Sequence, residues 1–398
     1  MARVERALVS VSDKRGIIDL CRALVDADVT ILSTGGTANA LRGAGIAVTD
    51  VAEYTGSPEV MDGRVKTLHP RVHGGILSRG EQDKGDVARL GAREIDLVVV
   101  NLYPFERVAA DPKSSHEHIV ENIDIGGPSM VRSAAKNHAR VTVVCDPQDY
   151  GRVLEELGRH GDTTAETRAE LAAKAFAHTA AYDAAISGYL SSREGDGGRA
   201  RFPKYLTLPF ERAYGLRYGE NPHQTGAFYV ERDAPAGSLA RAESLGAGGK
   251  ELSFNNLVDV DAALDAVREF DRPAAVVVKH TNPCGVAVGA SLVEAYRTAR
   301  EADALSAFGG IVALNREVDE ATARVVGETF LECVVAPSFA PAAPRAPSRE
   351  EEPASAGDRR VARRGACRAD EQARRRRAGR AARNCGSSIP VRALPPHP

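Results

Sequence analysis

Residues 6–37 read RALVSVSDKRGIIDLCRALVDADVTILSTGGT. Two short apolar runs, Arg6–Ser12 and Val29–Thr34, enclose a stretch from Gly16 to Ala27 whose apolar residues recur at helical spacing. The runs predict strands and the stretch between them a helix. A strand, a crossover helix and a second strand predict a parallel sheet with helices on both sides. The pattern continues outward. Ile95–Tyr103 (IDLVVVNLY) is apolar without alternation, as in a strand buried on both faces, and Arg140–Cys145 (RVTVVC) is another such run. Glu166–Leu190 is Ala-rich and reads as a helix. Ser191–Arg201 (SSREGDGGRAR) is polar and Gly-rich and predicts a domain boundary. A second α/β segment follows. Its strands are expected at Thr225–Val230, Ala274–Lys279 and Gly310–Leu314, and its helices at Val260–Phe270 and Leu292–Glu301.

The chain has 398 residues, room for about two or three domains. Hydrophobic residues make up 43% and charged residues 27%, enough apolar material for a packed core. No apolar run approaches a membrane span of roughly 18 residues, and the start MARVERALVSVSDK lacks a secretory signal core. The six cysteines form no CxxC pair, which argues against a structural zinc site and a disulfide framework. A cytoplasmic protein that binds neither membrane nor nucleic acid is expected. The net charge of −2 conceals an asymmetry. Residues 341–398 hold 14 Arg, no Lys and six acids, a net of +8, which leaves −10 on the first 340. That segment also has 13 Ala, 8 Pro and only four Leu, Ile or Val, so disorder is expected there. An Arg-rich tail can bind nucleic acid. The abrupt change of composition in mid-domain instead favours out-of-frame translation of a GC-rich gene.

The turn Ser33-Thr34-Gly35-Gly36-Thr37, before a helix expected from Ala38, offers backbone N–H groups, hydroxyls and a helix N-terminus to an anion. Standing alone, it would be read as a structural turn. Four further segments join it. Ser10, Ser12, Asp13 and Lys14 follow the first strand, at the sheet edge where ligands bind in such folds. Arg64-Val65-Lys66-Thr67-Leu68-His69-Pro70 puts two cations and a hydroxyl into one loop. Asn101 and Tyr103 end the long apolar run, and Asp124-Ile125-Gly126-Gly127 precedes a helix carrying Arg132 and Lys136. A solvated helix face suits Arg132 better than it suits Lys66 or Lys136. Together these residues predict a site for a phosphorylated anion, with lysines and a carboxylate for proton transfer.

SVSDK, STGGT, GRVKTLHPRVHGGIL, VVVNLYPF, NIDIGG and AAKNHARVTVV resemble the N-terminal half of the bifunctional purine-biosynthesis enzymes. Those join inosine monophosphate (IMP) cyclohydrolase to aminoimidazole carboxamide ribonucleotide (AICAR) formyltransferase. The resemblance is dense over residues 4–190. It implies a methylglyoxal-synthase-like parallel-sheet domain over 1–190 that closes formyl-AICAR to IMP with loss of water, without metal or organic cofactor. It places Ser12, Asp13, Lys14, Thr34, Gly35, Gly36, Thr37, Arg64, Val65, Thr67, Asn101 and Ile125 around the nucleotide. Lys136 matches the family's catalytic lysine, and Lys66, Tyr103 and Asp124 match its partners.

After a linker at 191–201, residues 202–340 resemble part of the formyltransferase domain, an α/β fold similar to cytidine deaminases. LRYGENPHQ at Leu216–Gln224 is similar to its AICAR-binding motif, with Arg217 and Tyr218 at the ligand. VKHTNPCG at Val278–Gly285 carries the Lys279–His280 pair, and SAFGG at Ser306–Gly310 puts Gly309 at the nucleotide. The resemblance implies 10-formyltetrahydrofolate as co-substrate and a homodimer. It ends near residue 340, where the family would continue with further folate-binding motifs, so impaired formyl transfer is expected. Two other readings use the same N-terminal fold, a nucleotide-sensing regulatory module and methylglyoxal synthase. The regulatory module needs neither Lys66 with Lys136 nor the LRYGENPHQ motif, and methylglyoxal synthase would lack the second segment.

Overall fold

The computed structural model describes residues 3–193, 198, 200–232, 234–245 and 251–341, together with the backbone of 365–368. It divides into two units, Met1–Pro209 and Phe210–Pro398.

The first unit contains β1 (Arg6–Val11), α1 (Ile17–Asp26), β2 (Thr30–Ser33), α2 (Gly35–Gly43), β3 (Thr49–Asp50), α3 (Val51–Thr55), α4 (Pro70–Leu77) and α5 (Lys84–Arg89). It continues through β4 (Leu97–Asn101), α6 (Phe105–Ala110), α7 (His116–Glu121), α8 (Gly126–Lys136), β5 (Thr142–Val144), α9 (Tyr150–His160) and α10 (Ala165–Ser191). The strands form one sheet in the order β3-β2-β1-β4-β5, every pair parallel. Leu8 sits level with Leu32 on one side and Val98 on the other. Val98, Val99 and Val100 of β4 are almost fully buried, as a strand covered by helices on both faces requires. α8 packs on β4 and β5, and α10 on α8 and β5.

The main departure from the expected boundaries is α2, which begins at Gly35 rather than Ala38. Thr34 is extended, with φ −147° and ψ 156°, so the chain turns into the helix directly after it. The Gly-Gly pair is therefore the first turn of the helix, where backbone N–H groups have no partner within the helix.

The second unit holds β6 (Phe210–Leu216) paired with β7 (Gly226–Glu231), then β8 (Glu243–Ser244), α11 (Phe254–Val267), β9 (Ala274–Lys279), β10 (Asn282–Val288) and α12 (Leu292–Ala302). α13 (Ala304–Ala307), β11 (Gly310–Leu314), α14 (Glu320–Gly327), β12 (Leu331–Ala336) and β13 (Gly365–Arg368) complete it. Its larger sheet is mixed, in the order β10-β9-β11-β12-β13-β8. α11 starts at Phe254, six residues before its expected start, because Ser253 and Asn256 form a reciprocal capping box. β10 was not anticipated, since Pro283 lies within it. It is an edge strand, where a missing N–H costs no ladder bond. The expectation of disorder over 341–398 falls mostly outside the described residues. Gly365–Arg368 departs from it, pairing parallel with β12 and, through Cys367 and Arg368, antiparallel with β8.

Candidate functional site

The candidate site lies where β1, β2 and β4 end, at the carboxyl edge of the parallel sheet. Asn101 closes β4 and reaches across to the turn after β1. Its Oδ1 accepts from the Ser12 N–H at 2.6 Å and the Asp13 N–H at 2.9 Å, and its Nδ2 donates to the Asp13 carbonyl at 3.0 Å. Thr37, in the first turn of α2 and buried, does the same from the other side. Its Oγ1 accepts from the Val11 N–H at 3.0 Å and donates to the Val11 carbonyl at 2.9 Å. The turn carrying Ser12, Asp13 and Lys14 is thus fixed between β4 and the N-terminus of α2. A Cβ on Gly36 would stand 3.9 Å from Lys14 Nζ, so the ammonium lies over the Gly-Gly turn. Ser33 Oγ and Thr34 Oγ1 are buried here with no hydrogen-bond partner. Buried hydroxyls are normally satisfied. Two unsatisfied ones beside a helix N-terminus and an ammonium suit an oxyanion ligand such as phosphate.

Two residues past Asn101, Tyr103 joins a second group. Asp124 lies just ahead of α8, and its Oδ1 accepts from the Gly127 N–H at 2.7 Å. Burial pushes the Asp124 carboxyl above its ordinary range, while hydrogen bonds from the Gly127 and Tyr103 backbone pull it back. Partial burial, and then the Asp124 charge, raise the Tyr103 phenol; the nearby Lys66 ammonium acts the other way. Lys66, Tyr103 and Asp124 therefore share one electrostatic neighbourhood. Thr67, buried, closes this wall: its Oγ1 would stand 2.5 Å from a Cβ on Gly126. The Gly126-Gly127 pair is needed here, because a Cβ on Gly127 would collide with the Asp124 carboxylate.

Some expected site residues have partners that the sequence did not reveal. Lys66 Nζ is 2.8 Å from Glu59 Oε2 and largely buried. Arg64 is paired with Glu121, its Nε donating to Oε1 at 3.2 Å. Val65 and Ile125 are exposed. Glu59 and Glu121 gave no sequence signal, because an acid at ordinary spacing reads as a solvated face. Tyr182 was missed as well, lying on α10, 58 residues after Asp124 and outside every motif quoted for this site. It is buried, and its hydroxyl accepts from the Asp124 N–H at 2.8 Å.

Lys136 is not brought to this group. It ends α8, whereas Asp124 precedes its start, and eleven helical residues separate the two ends by about 15 Å. Lys136 instead lines an open cleft of about 470 Å³ with Arg132, His138 and Phe176. Arg132 stacks on the Phe176 ring at 5.3 Å.

In the second unit, Lys279 ends β9, and its Nζ donates to the Gly309 carbonyl at 2.9 Å. Gly309, at φ +67°, lets the two approach, since a Cβ there would stand 3.3 Å from Nζ. His280 and Thr281 form the two-residue turn into β10, with φ of 53° and 66°. Such values in consecutive non-glycine residues are strained, and the strain falls on the residue expected to be catalytic. Asp259 of α11 holds the turn by accepting the Thr281 N–H at 2.7 Å. Arg217 lies over the Tyr218 ring at 4.7 Å and donates to its hydroxyl at 3.0 Å. The Tyr218 carbonyl accepts from Phe254 N–H, so this pair stands at the start of α11. Asp259 lies five residues along that helix, about 7.5 Å.

No group of three or more His, Cys, Asp or Glu able to hold a metal occurs among the described residues. No helix among them is long and apolar enough to cross a membrane.

Comparison with known proteins matches residues 134–351 to the family described as AICARFT/IMPCHase bienzyme, and residues 16–129 to the MGS-like domain. The bifunctional purine biosynthesis protein PurH of Sorangium cellulosum (strain So ce56) is 69% identical over 343 residues, which cover 85% of this chain and 66% of that protein. PurH of Magnetococcus marinus is 54% identical over 344 residues, 85% of this chain and 64% of that protein. The chain thus spans just under two thirds of these relatives' length. A solved structure titled "Crystal structure of ForH" is 39% identical, with a TM-score of 0.43, over 47% of this chain and 98% of its own.

Proposed function

The chain belongs to the AICARFT/IMPCHase bienzyme family, and on that premise we propose that its first unit is an IMP cyclohydrolase. The substrate is formyl-AICAR, the product IMP, and the reaction a ring closure with loss of water. The observation that supports this reading is the half-buried Asp124 carboxyl in one electrostatic neighbourhood with Lys66 and with Tyr103, which lies two residues beyond the Asn101 clamp on the proposed phosphate cradle.

The chemistry suits these groups. The carboxamide nitrogen attacks the formyl carbon, and a new C–N bond forms as the formyl oxygen gains negative charge. The nitrogen sheds a proton, for which Asp124 is the base or orienter. The oxygen takes protons and departs as water as the ring C=N bond forms. Lys66 stabilises that oxygen, and Tyr103 can supply a proton. Nucleophile and electrophile belong to one molecule, so holding them in attack geometry is a large share of the catalysis. Ser12, Lys14 and the first turn of α2 hold the phosphate. Lys136 enters this scheme by resemblance alone.

For the second unit we propose the nucleotide-holding portion of an AICAR formyltransferase site. Lys279 and His280 manage protons there, Arg217, Tyr218 and Gly309 contact AICAR, and 10-formyltetrahydrofolate is the donor. Homodimer formation is proposed from the family.

The test is direct. Formyl-AICAR is added to the purified 398-residue chain and IMP is followed by chromatography. Turnover supports the reading, and a folded chain without turnover overturns it.

A further inference from the structure

We propose that Tyr182, on α10, is a positioning residue of this site: its hydroxyl fixes the backbone at Asp124 and so aims the Asp124 carboxylate. This inference rests on the cyclohydrolase reading of the first unit.

The hydrogen-bond roles are set by the partners. The Asp124 N–H can only donate, so Tyr182 Oη accepts from it at 2.8 Å. The Asn122 carbonyl can only accept, so the same hydroxyl donates to it at 3.3 Å. One phenol thus pins both ends of the three-residue segment Asn122–Asp124 ahead of α8. Burial pushes that phenol up to about 12, so it keeps its proton and both bonds hold across the neutral range. The titratable groups facing the hydroxyl are Asp124, Asp183 and Tyr103.

The ring is held as firmly as the hydroxyl. Tyr182 is 6% exposed, and Phe105 meets it edge-on at a centroid distance of 6.2 Å and 73°. Phe105 opens α6, three residues after Leu102, which packs on Gly127. The long helix α10 carries no residue assigned to the nucleotide cradle, yet the Tyr182 hydroxyl brings it to the reacting edge. Asp124 Oδ1 accepts from the Gly127 N–H at 2.7 Å with the Asp124 backbone where Tyr182 holds it. That bond lowers the carboxyl towards its ordinary range, so losing the phenol should move the ionisation of Asp124 upward.

The experiment compares Tyr182→Phe with the unmodified full chain in turnover of formyl-AICAR across pH. The expected result is a kcat about tenfold lower with KM changed less than about twofold, and an acid limb of kcat displaced to higher pH. A merely structural tyrosine would lower the melting temperature and leave the acid limb in place. If Tyr182→Phe does not fold, Phe105→Leu loosens the ring, keeps the hydroxyl, and must displace the limb in the same direction. Unchanged kcat and acid limb in a folded variant, beside an active unmodified chain, overturn this inference alone. An inactive unmodified chain overturns the cyclohydrolase reading and this inference with it.

Discussion

Asn101 and Asp13 are tied in both directions: the Asn101 amide accepts from the Asp13 N–H at 2.9 Å and donates to the Asp13 carbonyl at 3.0 Å. A side chain at the end of β4 thereby completes the turn after β1, which holds the proposed phosphate cradle together. Asn101→Ala removes these bonds and the one to Ser12. We expect a stability loss of about 2 kcal/mol and a KM for formyl-AICAR raised more than kcat is lowered. Thermal melts and steady-state kinetics check both. Unchanged KM would detach Asn101 from the cradle.

Much of this arrangement was legible in the sequence. The apolar runs at Leu8–Val11 and Val98–Val100 read as buried strands, and the loops at their carboxyl ends then share an edge. Gly35–Thr37 and Asn101 follow from that topology. The rest depends on contacts between distant segments. Glu59 beside Lys66, Glu121 beside Arg64 and Tyr182 beneath Asp124 leave no local pattern. The place of Lys136 depends on α8 running unbroken from Gly126, which fixes about 15 Å between its ends. The β9–β10 hairpin was hidden because its turn is His280-Thr281 rather than a glycine pair.

Asp124 gives a stability prediction with a definite sign. Its folded ionisation lies above the ordinary 3.8, mainly through burial. The folded chain therefore holds that proton more tightly than the unfolded chain, and ionisation works against folding. The penalty is absent below 3.8, grows as pH rises, and is complete above the raised value. Asp124→Asn should melt at a higher temperature than the unmodified chain at about pH 7, and the advantage should vanish by about pH 3. An advantage that is the same at both pH values would place the carboxyl in a solvated setting.

Strain at the β9–β10 turn makes a third prediction. Thr281 is β-branched and sits at φ 66°. Thr281→Gly relieves that conformation while keeping the N–H that Asp259 accepts, so the second unit should gain about 1 kcal/mol. Denaturant unfolding of the full chain reads the gain. A loss would mean that the threonine side chain contributes more than its backbone costs.

We propose that Asp124 serves the reaction rather than the fold. It is tested most directly by the turnover of formyl-AICAR to IMP by Asp124→Asn, measured beside the binding of IMP to the same variant. Asn retains an oxygen for the Gly127 N–H, so the cradle should hold and IMP should bind within a fewfold of the unmodified chain. We expect kcat nevertheless to fall by about 10² to 10⁴. A folded variant that binds IMP and turns over at the unmodified rate would contradict it.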